Sequence, residues 1–108
     1  MSYRVILKPF VENVMRHLSP EVKRRVRLGL HVLEGNPYLG KPLHGELAGC
    51  LSFRVDRFRI VYRIESDQRR VVVTAIGHRR DVYGIAIDAI RLMKRRAQYV
   101  AKGAPAPS

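Results

Sequence analysis

Tryptophan is absent from this 108-residue chain, cysteine occurs once, and acidic residues number 9 against 21 lysines and arginines. Each shortage excludes something. A lone cysteine, Cys50, rules out an intramolecular disulfide, and no Cys/His spacing of the metal-binding kind surrounds it. Beside Gly49 and just ahead of a predicted strand, it reads as a small packing residue. No apolar run approaches the roughly 20 residues of a membrane-spanning helix. The N-terminal MSYRVILKPF holds too short a run for a signal peptide. The expectation is a cytoplasmic protein with no membrane span, no metal and no cofactor.

The shortage of acid leaves a formal charge of +12. A small folded domain this basic meets polyanions: RNA, DNA, an anionic membrane or an acidic protein. The alternative is a surface whose charge serves only solubility. An apolar fraction of 46% is ordinary for a globular chain and excludes general disorder. The length suits one domain, taken as residues 1–102, with 103–108 as a disordered tail.

Residues 3–8, YRVILK, predict a first strand with Val5 and Leu7 on one face and Ile6 on the other. Pro9 ends it, because proline cannot donate to a ladder. Apolar residues at 10, 11, 14, 15 and 18 have helical spacing. Ser19-Pro20-Glu21 opens a second helix: serine caps, proline suits the first position, and the carboxylate meets the positive end of the dipole. Val22, Val26, Gly29, Leu30 and Leu33 form its buried stripe, and Gly35 before Asn36-Pro37 closes it. So short a joint makes a helical hairpin whose apolar stripes must cover a sheet. The Gly- and Pro-rich stretch 36–50 predicts a loop. Its His44 and Glu46 are residue types of an acid/base pair, although loop histidines commonly have no chemical role.

The run 51–64, LSFRVDRFRIVYRI, predicts a β-hairpin. With Asp56-Arg57 as the turn, one face carries Leu51, Phe53, Val55, Phe58, Ile60, Tyr62 and Ile64, apolar throughout. The other carries Ser52, Arg54, Arg59, Val61 and Arg63. A turn near Asp67-Gln68 then leads into VVVTAIG, which completes a three-stranded meander. The expected pairs are Ile64 with Val71, Tyr62 with Val73 and Ile60 with Ala75, placing Arg59 opposite Ile76. From Val82 to about Val100 the spacing is helical again. The fold class is α+β: an antiparallel sheet with an N-terminal strand, helical hairpin, three-stranded meander and C-terminal helix.

On this layout Arg54 faces Arg59, an arrangement that is normally destabilising and that invites an anion. Arg79 and Tyr83, with His78 beside them, arrive from the following run GHRRDVY. Arginines bind phosphate through planar, always-charged donors, and a tyrosine can stack on an exposed base. Such a set suits single-stranded nucleic acid. It also suits metal-free phosphodiester cleavage, in which a 2′-hydroxyl attacks the adjacent phosphate and arginines stabilise the developing charge. His78 could carry the proton near neutral pH. The competing reading is that Arg54 and Arg59 only form ion pairs with Glu65, Asp56 or a partner chain.

Residues 3 to about 84 resemble the RelE/ParE superfamily of bacterial and archaeal type II toxins, on the RelE side. The blocks NPYLGKPLHGEL, SFRVDRFRIVYRI and VVVTAIGHRRDVY carry the likeness, with Arg-x-Val-Tyr in one strand and Gly-His-Arg-x-x-x-Tyr after the next. The resemblance implies a microbial-ribonuclease style of fold. It implies a toxin that cuts messenger RNA in the ribosomal A site, leaving a 2′,3′-cyclic phosphate and a 5′-hydroxyl. By position, Arg59 and Arg79 match the phosphate-binding and transition-state arginines, Tyr83 the stacking tyrosine, and Arg54 a second basic residue. Some members have lysine where this chain has Ser52 and again at Arg54. Arginine is a poor base, so His78 is the substitute. An acidic RelB-like antitoxin encoded beside the toxin is implied as hetero-oligomeric partner, covering the basic face with a helix or adding a strand. A helix from Val82 packed over the sheet would compete with it for one surface. Two other activities fit the same layout: a ParE-like inhibitor of DNA gyrase without nuclease activity, and a non-catalytic nucleic-acid-binding regulator.

Overall fold

The computed structural model describes residues 2–101, so the expected tail at 103–108 lies outside the described residues. The first strand, β1 (Arg4–Leu7), leads straight into α1 (Pro9–His17). Pro9 thus both ends the strand and takes the first helical position, where its missing N–H costs nothing. At the start of α2 (Pro20–Gly35) the Ser19 hydroxyl accepts from the Val22 N–H at 3.4 Å, the cap that Ser-Pro-Glu predicts. The 36–50 stretch is not all loop. It holds two short 3₁₀ turns, Pro37–Leu39 and Gly45–Leu47, and a two-residue strand, β2 (Lys41–Pro42). So brief a strand has no sequence signature, and its prolines and glycines read only as turns.

Three long strands follow: β3 (Leu51–Val55), β4 (Phe58–Glu65) and β5 (Arg70–His78), then α3 (Val82–Ala101). The sheet runs β1-β5-β4-β3-β2, antiparallel except where β1 lies parallel to β5, with Val5 beside Val71 and Leu7 beside Val73. Helices cover both faces. On one, α1 and α2 close over Ile60, Tyr62, Val71, Val73 and Ile76, the face read as core from its alternation. Gly29 lets α2 approach the hairpin closely: a β-carbon there would lie 2.8 Å from the Val55 Cγ2. On the other, α3 packs across β5 and β4 over a smaller core of Val61, Ala75, Val82 and Ala86.

The expected β4–β5 register holds for Ile64–Val71 and Tyr62–Val73 but not beyond. Val61 pairs with Ala75, so Thr74 is an extra residue in β5, a β-bulge. Past it Ile60 faces Ile76 rather than Ala75, and Arg59 faces Gly77 rather than Ile76. A bulge in the middle of an unbroken apolar run leaves no mark in hydrophobic periodicity, which is why the sequence misplaces these pairs.

Tyr62 ties the irregular 36–50 stretch to the sheet. Its buried hydroxyl donates to the Pro37 carbonyl at 2.6 Å and accepts from the Gly40 N–H at 3.0 Å. A β-carbon at Gly40 would overlap that hydroxyl.

Candidate active site

Arg54 and Arg59 are directly opposed across β3 and β4, as the alternation requires. The carboxylates named as their alternative partners, Asp56 and Glu65, are occupied elsewhere. Asp56 is paired with Arg25 of α2, and Arg25 is held in turn by Glu21 at 2.9 Å. Glu65 takes Arg63 at 3.0 Å and the Arg70 Nε at 2.8 Å. Arg63 is on the same face as Arg59 but is neutralised and leaves the set. The hydrogen bond from Arg70 chiefly, and the charges of Arg70 and Arg63 behind it, hold the Glu65 carboxyl below its ordinary value. The Arg54 Nε donates only to the Asp56 carbonyl, at 3.3 Å.

The end of β5 brings the second half of the site. The Arg79 N–H donates to the Arg57 carbonyl at 2.8 Å, which fixes the chain leaving β5 against the β3–β4 turn. Arg54, Arg57, Arg79 and Arg80 are exposed and Arg59 half-buried at this end of the sheet. Among the described residues, none of these five arginines enters an ion pair. Alternation along the strands does not single out Arg57 and Arg80, which lie in the turns. The signal was available: a turn residue shares the hairpin's end with whatever follows the neighbouring strand. The N-terminus of α3 begins two residues after Arg80 and adds its positive dipole end.

His78 is brought to the same end but turns to the other face. The bulge sets it opposite Phe58, and the two rings meet edge-on, 6.2 Å apart at 72°. Its Nδ1 accepts from the Arg80 N–H at 3.3 Å, so in the neutral ring the proton is assigned to Nε2. Tyr83, in the first turn of α3, reaches back to the sheet: its hydroxyl lies 3.1 Å from that of Ser52, which is buried. The Tyr83 ring is half-buried and packs against the second core. Ser52 occupies the position where the resemblance suggests lysine, and here its contact is with Tyr83.

His44 and Glu46 do not form an acid/base pair. Glu46 accepts from the Arg91 Nε at 2.7 Å and Nη2 at 2.5 Å, pinning α3 to the Gly45–Leu47 turn. That hydrogen bonding also holds the Glu46 carboxyl below its ordinary value. Chemically, then, this end of the sheet presents on one face a cluster of guanidinium groups without counter-ions, with the imidazole of His78 on the opposite face. Unpaired guanidinium groups of this kind are chemically suited to phosphate oxygens.

Comparison with known proteins adds the following. The family model described as "ParE toxin of type II toxin-antitoxin system, parDE" matches residues 7–83. Toxin RelG of Mycobacterium tuberculosis is 44% identical over 45 residues, covering 42% of this chain and 52% of RelG, about half of that relative's length. A chain of the solved toxin–antitoxin complex RelBE2 of M. tuberculosis matches with a TM-score of 0.67 at 31% identity, over 73% of this chain and 100% of that one. The Escherichia coli toxin RelE, solved as a mutant in the free state, matches with a TM-score of 0.70 over 83% of this chain and 99% of that one. At 21% identity the RelE match is a likeness of fold. Among the described residues no helix is long and apolar enough to cross a membrane.

Proposed function

Since the chain belongs to the ParE toxin family of type II toxin–antitoxin systems, within the RelE/ParE superfamily, we propose that it is a metal-independent endoribonuclease that cuts messenger RNA at the ribosomal A site in the cytoplasm. The observation that carries this reading is the facing pair Arg54–Arg59, held without a carboxylate partner beside the end of β5. Opposed like charges cost stability, and a phosphate between them removes that cost.

In this mechanism the 2′-hydroxyl attacks the adjacent phosphorus while the 5′-oxygen departs. The products are a 2′,3′-cyclic phosphate and a 5′-hydroxyl, with the 2′-proton removed and one delivered to the leaving oxygen. Arg59 and Arg79 stabilise the extra negative charge on the phosphoryl oxygens, and Arg54 adds to the field. A single such donor is worth about 10²–10³ in rate. Tyr83 stacks on a base and holds the strand splayed, an interaction of about 1–3 kcal/mol. His78 supplies an imidazole at this end of the sheet, on the face opposite the arginines, and to take a proton its Nδ1 must give up the Arg80 N–H. The toxin's partner is an acidic antitoxin, bound as a hetero-oligomer.

Primer extension on transcripts from a translating extract tests the assignment. Wild type should leave discrete stops within the reading frame, and Arg79→Ala or Tyr83→Ala should remove them while both variants stay folded. Unchanged cutting by both would sink the reading. One observation favours a second activity, inhibition of DNA gyrase: the matching family model is that of ParE. A supercoiling assay separates the two, since gyrase inhibition without RNA cleavage selects the second.

A further inference from the structure

The arginine cluster contains an acid that does not neutralise it. Asp56 opens the β3–β4 turn, between Arg54 and Arg57 in the chain. The Arg54 Nε donates to its backbone carbonyl at 3.3 Å, so that guanidinium already rests against this residue. Rotation about χ1 would swing the carboxylate towards Arg54. A carboxylate on an arginine's fork occupies the donors that a phosphate needs. The backbone explains an aspartate here: φ at Asp56 is 59°, a left-handed value that Asp, Asn and Gly tolerate. It does not explain where the charge goes.

The charge goes to α2. The Arg25 Nη1 donates to the Asp56 Oδ2, while its Nη2 donates to the Glu21 Oε1 at 2.9 Å. Two carboxylates thus hold one guanidinium through different nitrogens, and Glu21, one helical turn earlier, sets its direction. Packing sets the reach. Gly29, one turn after Arg25, lies against Val55, where a β-carbon would come within 2.8 Å of the Cγ2. Arg25 and Asp56 form the next pair along that same approach of α2 to the hairpin. Lys23, Arg24 and Arg27 crowd the same stretch of helix, yet among the described residues none of them enters an ion pair. Arg25 is the one placed on an acid of the candidate site.

We propose that Arg25 is a positioning residue for the arginine site: by holding the Asp56 carboxylate on α2, it keeps Arg54, and with it the facing pair Arg54–Arg59, open to an anion. The inference rests on the phosphate-binding reading of this cluster and adds a residue from another element that sets its affinity. The Arg25–Asp56 pair is exposed, and such pairs add little stability, so its effect shows in anion binding rather than in the fold. Without Arg25, the cation already in contact with Asp56 is Arg54. An incoming phosphate then competes with a carboxylate tethered beside its own donors, an intramolecular competitor at high effective concentration.

Inorganic pyrophosphate is the probe, titrated into the full chain and followed by the side-chain Nε–H resonances of Arg54 and Arg59. Arg25→Gln should weaken binding by about three- to fivefold, the size of one exposed ion pair. The double variant Arg25→Gln/Asp56→Asn should bind as wild type does, because no carboxylate remains to swing across. Asp56→Asn alone should bind no more weakly than wild type. Arg24→Gln removes the same charge from the same helix without touching Asp56, and should stay within about twofold of wild type, since a remote exposed charge is screened. Before any probe is added, the Arg54 resonance should move in Arg25→Gln and return in the double variant. Circular dichroism follows the fold of each. Unfolding of Arg25→Gln, unchanged affinity in that variant, a loss that persists in the double variant, an equal loss in Arg24→Gln, or no pyrophosphate binding by wild type would each overturn the proposal. Pyrophosphate has no 2′-hydroxyl to attack it, so the result is separate from the nuclease reading. The rescue can hold in a protein that cuts no RNA, and RNA can be cut by a protein in which the rescue fails.

Discussion

The Tyr83 hydroxyl meets the buried Ser52 hydroxyl at 3.1 Å, joining the first turn of α3 to the arginine face of β3. The contact fixes the ring whose stacking the proposed reaction uses. Ser52→Ala should therefore weaken substrate binding by about three- to tenfold, the size of one neutral hydrogen bond. Tyr83→Phe should lose the same amount, and the double variant no more, because the two share one interaction. Ser52→Thr keeps a hydroxyl and should retain activity. KM and kcat for cleavage in a translation extract check this, with the loss expected in KM. A loss in kcat alone would argue that the hydroxyls act in the chemistry instead.

Arg59→Ala should separate activity from stability. Cleavage should fall by about 10²–10³. Stability should hold or rise by a few tenths of a kcal/mol, because the repulsion from Arg54 is relieved. Single-turnover cleavage and a urea titration measure the two effects on one preparation. A variant that is both inactive and markedly less stable would mean that Arg59 is chiefly structural.

What the sequence discloses about this site follows from period-two alternation. It is enough to oppose Arg54 and Arg59 and to assign Phe53, Ile60 and Tyr62 to the core, and the structure has both. The two-residue turn at Asp56-Arg57 is equally legible because it sits between strands of clear pattern. Alternation cannot reveal the bulge at Thr74, since every residue around it is apolar or small. That hidden residue turns His78 toward Phe58. Nor could pattern show whether Asp56 and Glu65 neutralise the arginines. The answer depends on Arg25, which lies on a different element, and on the neighbouring strand's Arg70.

Arg57 and Arg80 should act as phosphate contacts that hold the strand without taking part in bond breaking. For single-stranded RNA the dependence of log K on log salt should flatten by about 0.7 for each arginine that ceases to contact a phosphate. Filter binding of Arg57→Ala and Arg80→Ala to an uncleavable 2′-deoxy analogue, across a salt series, measures the slope. Slopes equal to wild type would remove both residues from the interface.

Tyr62→Phe should cost about 1–3 kcal/mol, the penalty for leaving a buried polar group without its partner. Both the Pro37 carbonyl and the Gly40 N–H lose the hydroxyl that satisfies them. The ring itself is retained, so the core packing term stays constant. Urea denaturation measures the change, which should appear in the midpoint with the slope unchanged.

Glu65 gives the fold a defined response to acid. Its hydrogen bond from Arg70 and the cations beside it lower its carboxyl in the folded state. The unfolded chain then binds this proton more readily than the folded one, so acid favours unfolding. The stabilisation is fully present above the unfolded glutamate value of about 4.3 and is lost as pH falls through the lower folded value. Glu65→Gln should be less stable than wild type at pH 7, and that gap should close progressively below about pH 4. Because these groups meet solvent, added salt should narrow the gap at pH 7 as well. Urea midpoints for both proteins from pH 7 to pH 2, at low and high salt, test the claim. A gap that stays constant down to pH 2 would show that Glu65 stabilises through packing rather than through its charge.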